Sequence, residues 1–583
     1  MTETTHSRLP AHLKRYIVQQ DYSRYTAEDQ AVWRFIMRQL KNFLSTHAHS
    51  SYLEGLQKSG LSVEQIPQIE HMDQSLERYG WGAVAVSGFI PPAAFMEFQA
   101  LGILPIACDM RSMDHLLYTP APDIVHEAAG HAPILINPEY GAYLRLYGEV
   151  ARHSIISKED MAQYEAIRVL SDLKEDPASN SEMIRAAEKN LEQISDSTKT
   201  VSEAALLSRM NWWTAEYGLI GSLSDPKIFG AGLLSSVGEA LSCLDSKVKK
   251  LPLSVDCVNF SYDITEKQPQ LFVCQDFRHL GQVLEELATR LAYRRGGIYG
   301  LERAMEAGTV NTVELNSGTQ ISGVLQKLRL VENQPIYLHF SGACQLAFGG
   351  SQLPGQSIAQ HPQGFSTPVG WLRGQNRCLS TFSLADLQQL GLRRGQKATL
   401  EFQSGVRVDG LWKDSVYRQE RLILLSFEQC RVTLGSEVLF EPAWGDYDMA
   451  VGQLVTSVFA GPADRSQFGQ TEDFVAKRVP TRIFSASETR RHGLLKQIRQ
   501  LRESYVSLEP QTRNARLNDL CRNYFESAPH DWLVGMELLE LGLVHDQHDF
   551  EEQLREHLRP ERFPAANISH CVREGLNLAA RQL

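Results

Sequence analysis

The sequence predicts a multidomain chain. A mainly α unit spans about residues 1–300, a β-rich duplicated region about 301–460, and a linker with a helical tail about 461–583. Three observations carry this division. Apolar residues recur at helical spacing through most of the first half. A stretch of alternating apolar residues around a Ser-Gly turn repeats 87 positions later. Helical periodicity then returns from about 487 to the end.

In the first unit, Thr26 is a candidate N-cap, followed by Val32, Ile36, Leu40 and Leu44 at four-residue spacing. Gly80-Trp81-Gly82 and Ser87-Gly88-Phe89-Ile90-Pro91-Pro92 read as a turn-rich loop, and a helix begins near Ala93. Residues 118–135, YTPAPDIVHEAAGHAPIL, place Pro120 and Pro122 before a helical stretch that Gly130 is expected to weaken or stop. The stretch 152–205 is charged and reads as an insertion of exposed helices. QPQLFV is a short strand, and 276–294 form an amphipathic helix.

Residues 312–340 align without a gap to 399–427. Thr312/Thr399, Ser317/Ser404, Gly318/Gly405, Gly323/Gly410 and Phe340/Phe427 match, which predicts two copies of one β unit. GFSTPVGWL and GDYDMAVGQL are a weaker echo of the same duplication.

Composition narrows the function classes. With 43% apolar and 22% charged residues the chain is ordinary globular protein, not disordered, collagenous or a disulfide scaffold. A net charge of −11 disfavours nucleic acid as the partner. No apolar run reaches the ~18 residues of a membrane span, and the polar start MTETTHSRLPAHLKRY has no signal-peptide core. Nine cysteines without a CxxC pair read as reduced thiols and a cytoplasmic location.

The sharpest chemical feature is His126-Glu127-Ala128-Ala129-Gly130-His131. In a zinc-type HExxH helix the histidines lie at i and i+4, on one face. Here they lie at i and i+5, about 140° apart on an ideal α-helix. Both reach one metal only if the helix distorts, and a third ligand must come from elsewhere. Two histidines and a carboxylate with open positions suit non-haem Fe(II) oxygenases. Glu216, in the apolar setting Asn211-Trp212-Trp213-Thr214-Ala215-Glu216-Tyr217, needs a partner or a metal to offset its desolvation. Phe229-Gly230-Ala231-Gly232-Leu233-Leu234-Ser235-Ser236 permits close backbone approach and offers hydroxyls that can orient a ligand histidine. Arg111 with Asp123 reads either as a carboxylate-binding pair or, more plainly, as a surface ion pair.

These segments together resemble the pterin-dependent aromatic amino acid hydroxylases. YTPAPDIVHEAAGHAPI, WWTAEYGLI, FGAGLLSSVGE and YDITEKQPQLFV are similar to that family's motifs and stand in the same order, over about residues 25–295. The resemblance implies a mainly α hydroxylase-type catalytic core, Fe(II) and tetrahydropterin as cofactors, and O2 and an aromatic amino acid as substrates. It implies His126, His131 and Glu216 as iron ligands. Arg111, Thr119, Pro122, Asp123, Trp212, Gly232 and Ser235 would bind the amino acid, and Gly88, Phe89, Ile90, Phe95 and Glu127 the pterin. Ser235, Ser236 and Glu239 would support the ligands from behind.

The chain also departs from the pattern. His131 and Glu216 are 85 residues apart, about twice the family's usual gap, and Asn211 stands where an aromatic is expected. Pro105 replaces a pocket histidine. Ile264 and Trp212 favour phenylalanine as the substrate, with tryptophan or tyrosine as alternatives. A zinc hydrolase using Glu127 as base and an inactive hydroxylase-like scaffold are the competing classes. Residues 301–583 are expected to serve oligomerisation or partner docking.

Overall fold

A computed structural model describes Thr5, Ser7 and residues 9–116, 123–175, 179–197, 201–262, 267–469 and 484–581. It shows a mainly helical core, then a β-rich region of two antiparallel sheets, then a helical C-terminal region.

The long helix α1, Ala27–His47, opens on a capping box in which Thr26 and Asp29 satisfy each other's backbone N–H groups. Behind it lies a strand pair that the sequence does not predict, its first strand lying between the segments read as a turn-rich loop. Gly82–Val86 (β1) and Ile103–Ala107 (β2) form a parallel two-stranded sheet, joined by the helix α2, Pro92–Ala100. Every residue of both strands is buried. With both faces covered there is no polar–apolar alternation to mark the strands, and flanking glycines and prolines make the segment read as turns.

Two exposed helices, Lys158–Glu175 (α3) and Ser181–Ser197 (α4), pack on each other and form the charged excursion. They lead to Glu203–Asn211 (α5). A small sheet follows, built from Leu219–Gly221 (β3), Pro226–Ile228 (β4), Lys249–Pro252 (β5) and Gln270–Cys274 (β6) in the order β4-β3-β6-β5. Between β4 and β5 sit the short helices Ala231–Leu234 (α6) and Val237–Cys243 (α7), and Phe277–Ala288 (α8) closes the unit behind its N-cap Asp276.

The duplication folds as two matched β units. Asn311–Leu315 (β7), Thr319–Val331 (β8) and Gln334–Phe348 (β9) form the first meander, with Gly364–Pro368 (β10) on β9. Lys397–Glu401 (β11), Val406–Arg418 (β12) and Arg421–Leu434 (β13) form the second, with Tyr447–Ala450 (β14) on β13. The local devices repeat as well. Gly318 and Gly405 hold φ of +91° and +88° in the Ser-Gly turns. Glu332-Asn333 and Gln419-Glu420 hold positive φ at both central positions, the two-residue turn whose twist matches a hairpin.

The units share their cores. Ile423 and Leu424 pack in the first core, Ile336 and Tyr337 in the second, and Thr319 donates to the Ile423 carbonyl over 3.0 Å. Val455–Ala460 (β15) returns to pair with β7 and thereby carries the chain back to the helical core.

The C-terminal helices dock on the core instead of trailing from it. Ala486–Ser504 (α9), Pro510–Ser527 (α10), Trp532–Val544 (α11), Glu551–His557 (α12) and Ala566–Arg581 (α13) share one continuous apolar core with α1 and the helices around it. Helix α11 is buried almost all round, and its two acids meet arginines of other helices. Glu537 takes a bidentate pair from Arg34 of α1 at 2.6–3.1 Å and a further bond from Arg502 of α9 at 3.2 Å. Glu540 pairs with Arg38 of α1, which also reaches Glu64 at 2.9 Å. All nine cysteines are free thiols. Among the described residues no helix is long and apolar enough to cross a membrane.

Removing one member of a buried ion network leaves the others charged and unpaired, which costs about 3–5 kcal/mol. Glu537→Ala is therefore expected to lower unfolding stability in urea by that order, whereas Arg34→Met with Glu537→Met is expected to cost much less. Equal losses in the two variants would show that the charges do not tie α11 to α1.

Candidate metal centre

The segment 125–131 is a π-helical turn that runs on into the α-helix Ala132–Leu135. Of the two outcomes expected at Gly130, a weakened helix or its end, the helix is distorted into π geometry and does not end there. Bonding from i to i+5 widens the turn, so residues five apart come round to the same face. His126 and His131 consequently face one point, with ring centroids 5.1 Å apart and planes at 89°. What Gly130 does permit is close packing. A Cβ there would lie 2.6 Å from the Ala231 carbonyl oxygen of α6.

The third ligand candidate sits on a second π turn, Trp212–Glu216, continuing α5. Thr214 anchors this turn through the Met210 carbonyl (2.6 Å) and the Tyr143 hydroxyl (2.7 Å). Glu216 Oε2 lies 3.3 Å from His126 Nε2, and Oε1 lies 3.4 Å from His131 Nε2. These three residues are the one group of three or more His, Cys, Asp or Glu among the described residues able to hold a metal, their ligand atoms all within 4.8 Å. Burial alone would raise the Glu216 carboxyl, but the adjacent His131 and His126 outweigh it and hold it well below the usual carboxylate range. The two-nitrogen, one-carboxylate set fits a divalent iron with open coordination positions.

A hydrogen-bonded frame stands behind the triad. The Ser235 hydroxyl donates to the Ala231 carbonyl at 2.7 Å, so its oxygen accepts from His126 Nδ1 at 3.0 Å. That places the proton on Nδ1 and leaves Nε2 with a lone pair for a metal. Arg111 and Asp123 are not a surface pair. Both are buried, and Asp123 takes Nε and Nη2 of Arg111 at 2.6 and 2.8 Å while its Oδ1 also accepts the His126 backbone N–H at 3.0 Å. Arg111 Nη1 reaches the Ser235 carbonyl at 3.3 Å. One network thus links the carboxylate-binding candidate to the first turn of the π-helix.

Glu127 and His131 are buried, and Glu127 Oε2, His131 Nδ1 and Trp212 Nε1 have no hydrogen-bond partner among the described residues. Burial pushes the Glu127 carboxyl up to about 8; His131 draws it down, and Glu216 and Asp123 push it further up. A buried carboxyl without a partner is costly, so it marks a place for a polar group to bind. Trp212 stacks on Tyr262 (4.3 Å, 10°) and on Tyr217 (4.5 Å, 27°).

Gly232 lies on α6 against Glu216 and Tyr217. Ser236 caps α7 by accepting the Glu239 N–H, and burial raises the Glu239 carboxyl. These two brace α7. Gly88, with φ +61°, gives its N–H to Asp109 at 3.1 Å in the loop after β1. Phe89 is half-buried beside it, Ile90 is buried, and Phe95 lies half-buried on α2. Thr119, Pro122 and Ile264 lie outside the described residues.

Two further contributors were legible only in part. Asn211 Nδ2 donates to Glu216 Oε1 over 3.4 Å. Its spacing to Glu216 is the same i,i+5 as in the histidine pair, so that spacing was the available signal. A Cβ on Gly230 would lie 2.4 Å from the Glu216 carbonyl oxygen, which makes this glycine a condition for seating Glu216.

Ser235→Ala removes the group that fixes the His126 tautomer. Loss of such an outer partner typically costs 10–100-fold in metal affinity. Titration of the variant with Fe(II) is expected to show a loss of that order, and an unchanged affinity would contradict the assignment.

A family model for biopterin-dependent aromatic amino acid hydroxylases matches residues 14–163 and 188–327. The unmatched residues between those spans lie on α3 and α4 and the segment joining them. The phenylalanine-4-hydroxylase of Ralstonia nicotianae is 27% identical over 308 residues, covering 50% of this chain and 83% of that protein. That of Mesorhizobium japonicum is 30% identical over 266 residues, covering 45% of this chain and 80% of its own. A crystal structure of Chromobacterium violaceum phenylalanine hydroxylase with iron(III) and 7,8-dihydrobiopterin is 25% identical, covering 50% of this chain and 92% of that one, with a TM-score of 0.38. With a two-histidine, one-glutamate centre in the matched region, the chain belongs to the biopterin-dependent aromatic amino acid hydroxylases.

Proposed function

We propose that the chain is an Fe(II)- and tetrahydropterin-dependent monooxygenase that uses O2 to hydroxylate the ring of L-phenylalanine, giving L-tyrosine. The observation that carries the reading is the convergence of His126, His131 and Glu216 from two π turns within the family-matched region. The phenylalanine-4-hydroxylase names of the relatives support the substrate.

Iron and a reduced pterin, when bound, supply the activation of O2 and the two electrons the reaction needs. The protein positions and shields. His126, His131 and Glu216 hold the metal from one side and leave positions open. Arg111 binds the α-carboxylate of the amino acid. Asp123 and the Ser235 carbonyl occupy three of its five side-chain N–H groups among the described residues, so two remain for a bidentate contact. Gly232 on α6, Ser235 just after it, and Trp212 line the same place; Thr119 and Pro122 join them only by their positions in the family's motif. The loop Gly88-Phe89-Ile90 and Phe95 hold the flat pterin ring. Glu127, buried beside the triad, offers its unpartnered carboxyl to the pterin's polar edge. The apolar surroundings exclude water, which limits side reactions of the activated oxygen.

Incubation with Fe(II), a reduced pterin and an equimolar mixture of phenylalanine, tryptophan and tyrosine, read by mass spectrometry, is expected to give tyrosine as the main product. Hydroxytryptophan or dihydroxyphenylalanine in its place would move the substrate within the family, and no product at all would overturn the reading. His126→Ala, His131→Ala and Glu216→Ala are each expected to lower turnover by at least two orders of magnitude together with loss of bound iron.

A further inference from the structure

Three segments outside the family-matched residues converge on the segment Phe89–Glu97, which joins the loop after β1 to α2. Tyr164, on α3 in the unmatched excursion, sets its ring edge-on to Phe89 at 6.4 Å and 81°. Arg465, beyond β15 at the far end of the duplicated β region, gives its Nη1 to Glu97 at 3.2 Å and its Nη2 to the Arg152 carbonyl at 3.1 Å. His12, before the matched region begins, places Nε2 2.9 Å from Glu97 and Nδ1 3.0 Å from Ser466. Glu97 is 5% exposed, so its two partners are held in low dielectric, where such a pair fixes geometry more firmly than on a surface.

We infer that Tyr164 and Arg465 are positioning residues for the pterin: the excursion and the β region hold the loop and helix that carry Phe89 and Phe95. The physical argument is one of order. A loop that binds a flat ring by its backbone and a stacked aromatic must be fixed in place before binding, or it loses affinity to the cost of ordering. Residues 88–95 include a positive-φ glycine and two prolines and lie at the edge of a two-stranded sheet, so the loop has few ladder bonds of its own. Ring contact at Phe89 and charge pairing at Glu97 pin it at both ends. This accounts for part of the sequence that the hydroxylase chemistry leaves unused. The inference rests on the proposed placement of the pterin at Gly88–Phe95.

The test measures binding of 7,8-dihydrobiopterin to the full-length iron-loaded protein by calorimetry, alongside KM for reduced pterin and for phenylalanine. Tyr164→Ala, and Arg465→Met combined with Glu97→Gln to avoid a stranded charge, are each expected to weaken pterin binding roughly three- to tenfold. The KM for phenylalanine is expected to stay unchanged, and Tyr164→Phe, which keeps the ring, is expected to bind like the parent. Thermal melts identify any variant that fails to fold, and Tyr164→Leu, which keeps apolar bulk without the ring, then carries the comparison with the same expected loss. Phe95→Ala separates the two claims. If Phe95→Ala loses pterin binding but Tyr164→Ala and the Arg465 pair do not, the inference is overturned while the pterin placement stands. If Phe95→Ala also binds normally, the placement itself fails. A parallel rise in both KM values would reduce the two residues to a general structural role and would equally overturn the inference.

Discussion

The candidate site depends on one backbone constraint, the widening of two helical segments from i→i+4 to i→i+5 bonding. In an α-helix His126 and His131 would diverge and Glu216 would sit on a turn of different pitch. With Val125–His131 and Trp212–Glu216 both in π geometry, the three side chains meet within one ligand sphere. Such turns bond less favourably than an α-helix and persist where neighbours hold them. Here the neighbours are explicit. Asp123 caps the first turn and fixes Arg111, Thr214 with Tyr143 anchors the second, and α6 lies across both. The glycines at 130, 230 and 232 let α6 come that close.

This arrangement would couple substrate and metal through the same two residues, Asp123 and Ser235. Asp123 holds the arginine that would take the amino acid's carboxylate and also bonds the backbone N–H of a ligand histidine. Ser235 offers its carbonyl to Arg111 and its hydroxyl to His126. Under the proposed function, a carboxylate drawn to Arg111 would act on a frame that already orients His126, and a few short bonds would set the distance between substrate ring and metal.

Much of this was legible in the sequence where a local rule decides the outcome. The Thr26 cap, the β6 strand, the α8 start at Asp276 and the duplicated hairpins follow from residue types at fixed offsets. The His126, His131 and Glu216 set was visible because the motifs stand together. What stayed hidden was set by tertiary context. The strands β1 and β2 are buried on both faces and carry no alternation. The π turns break the 3.6-residue template that periodicity uses. Nothing local marks Arg34 and Arg38 of α1 as buried; the docking of α11 with Glu537 and Glu540 buries them. Arg111 with Asp123, open in the sequence between a carboxylate-binding pair and a surface pair, is likewise settled as buried by packing.

The central claim is that two π turns present two imidazoles and one carboxylate to a single iron. X-ray absorption at the iron edge of the Fe(II)-loaded protein tests it most directly. The expected result is one iron per chain with two imidazole scattering patterns, a carboxylate oxygen and further light-atom ligands in open positions. An iron shell with a single imidazole, or with sulfur, would contradict the account.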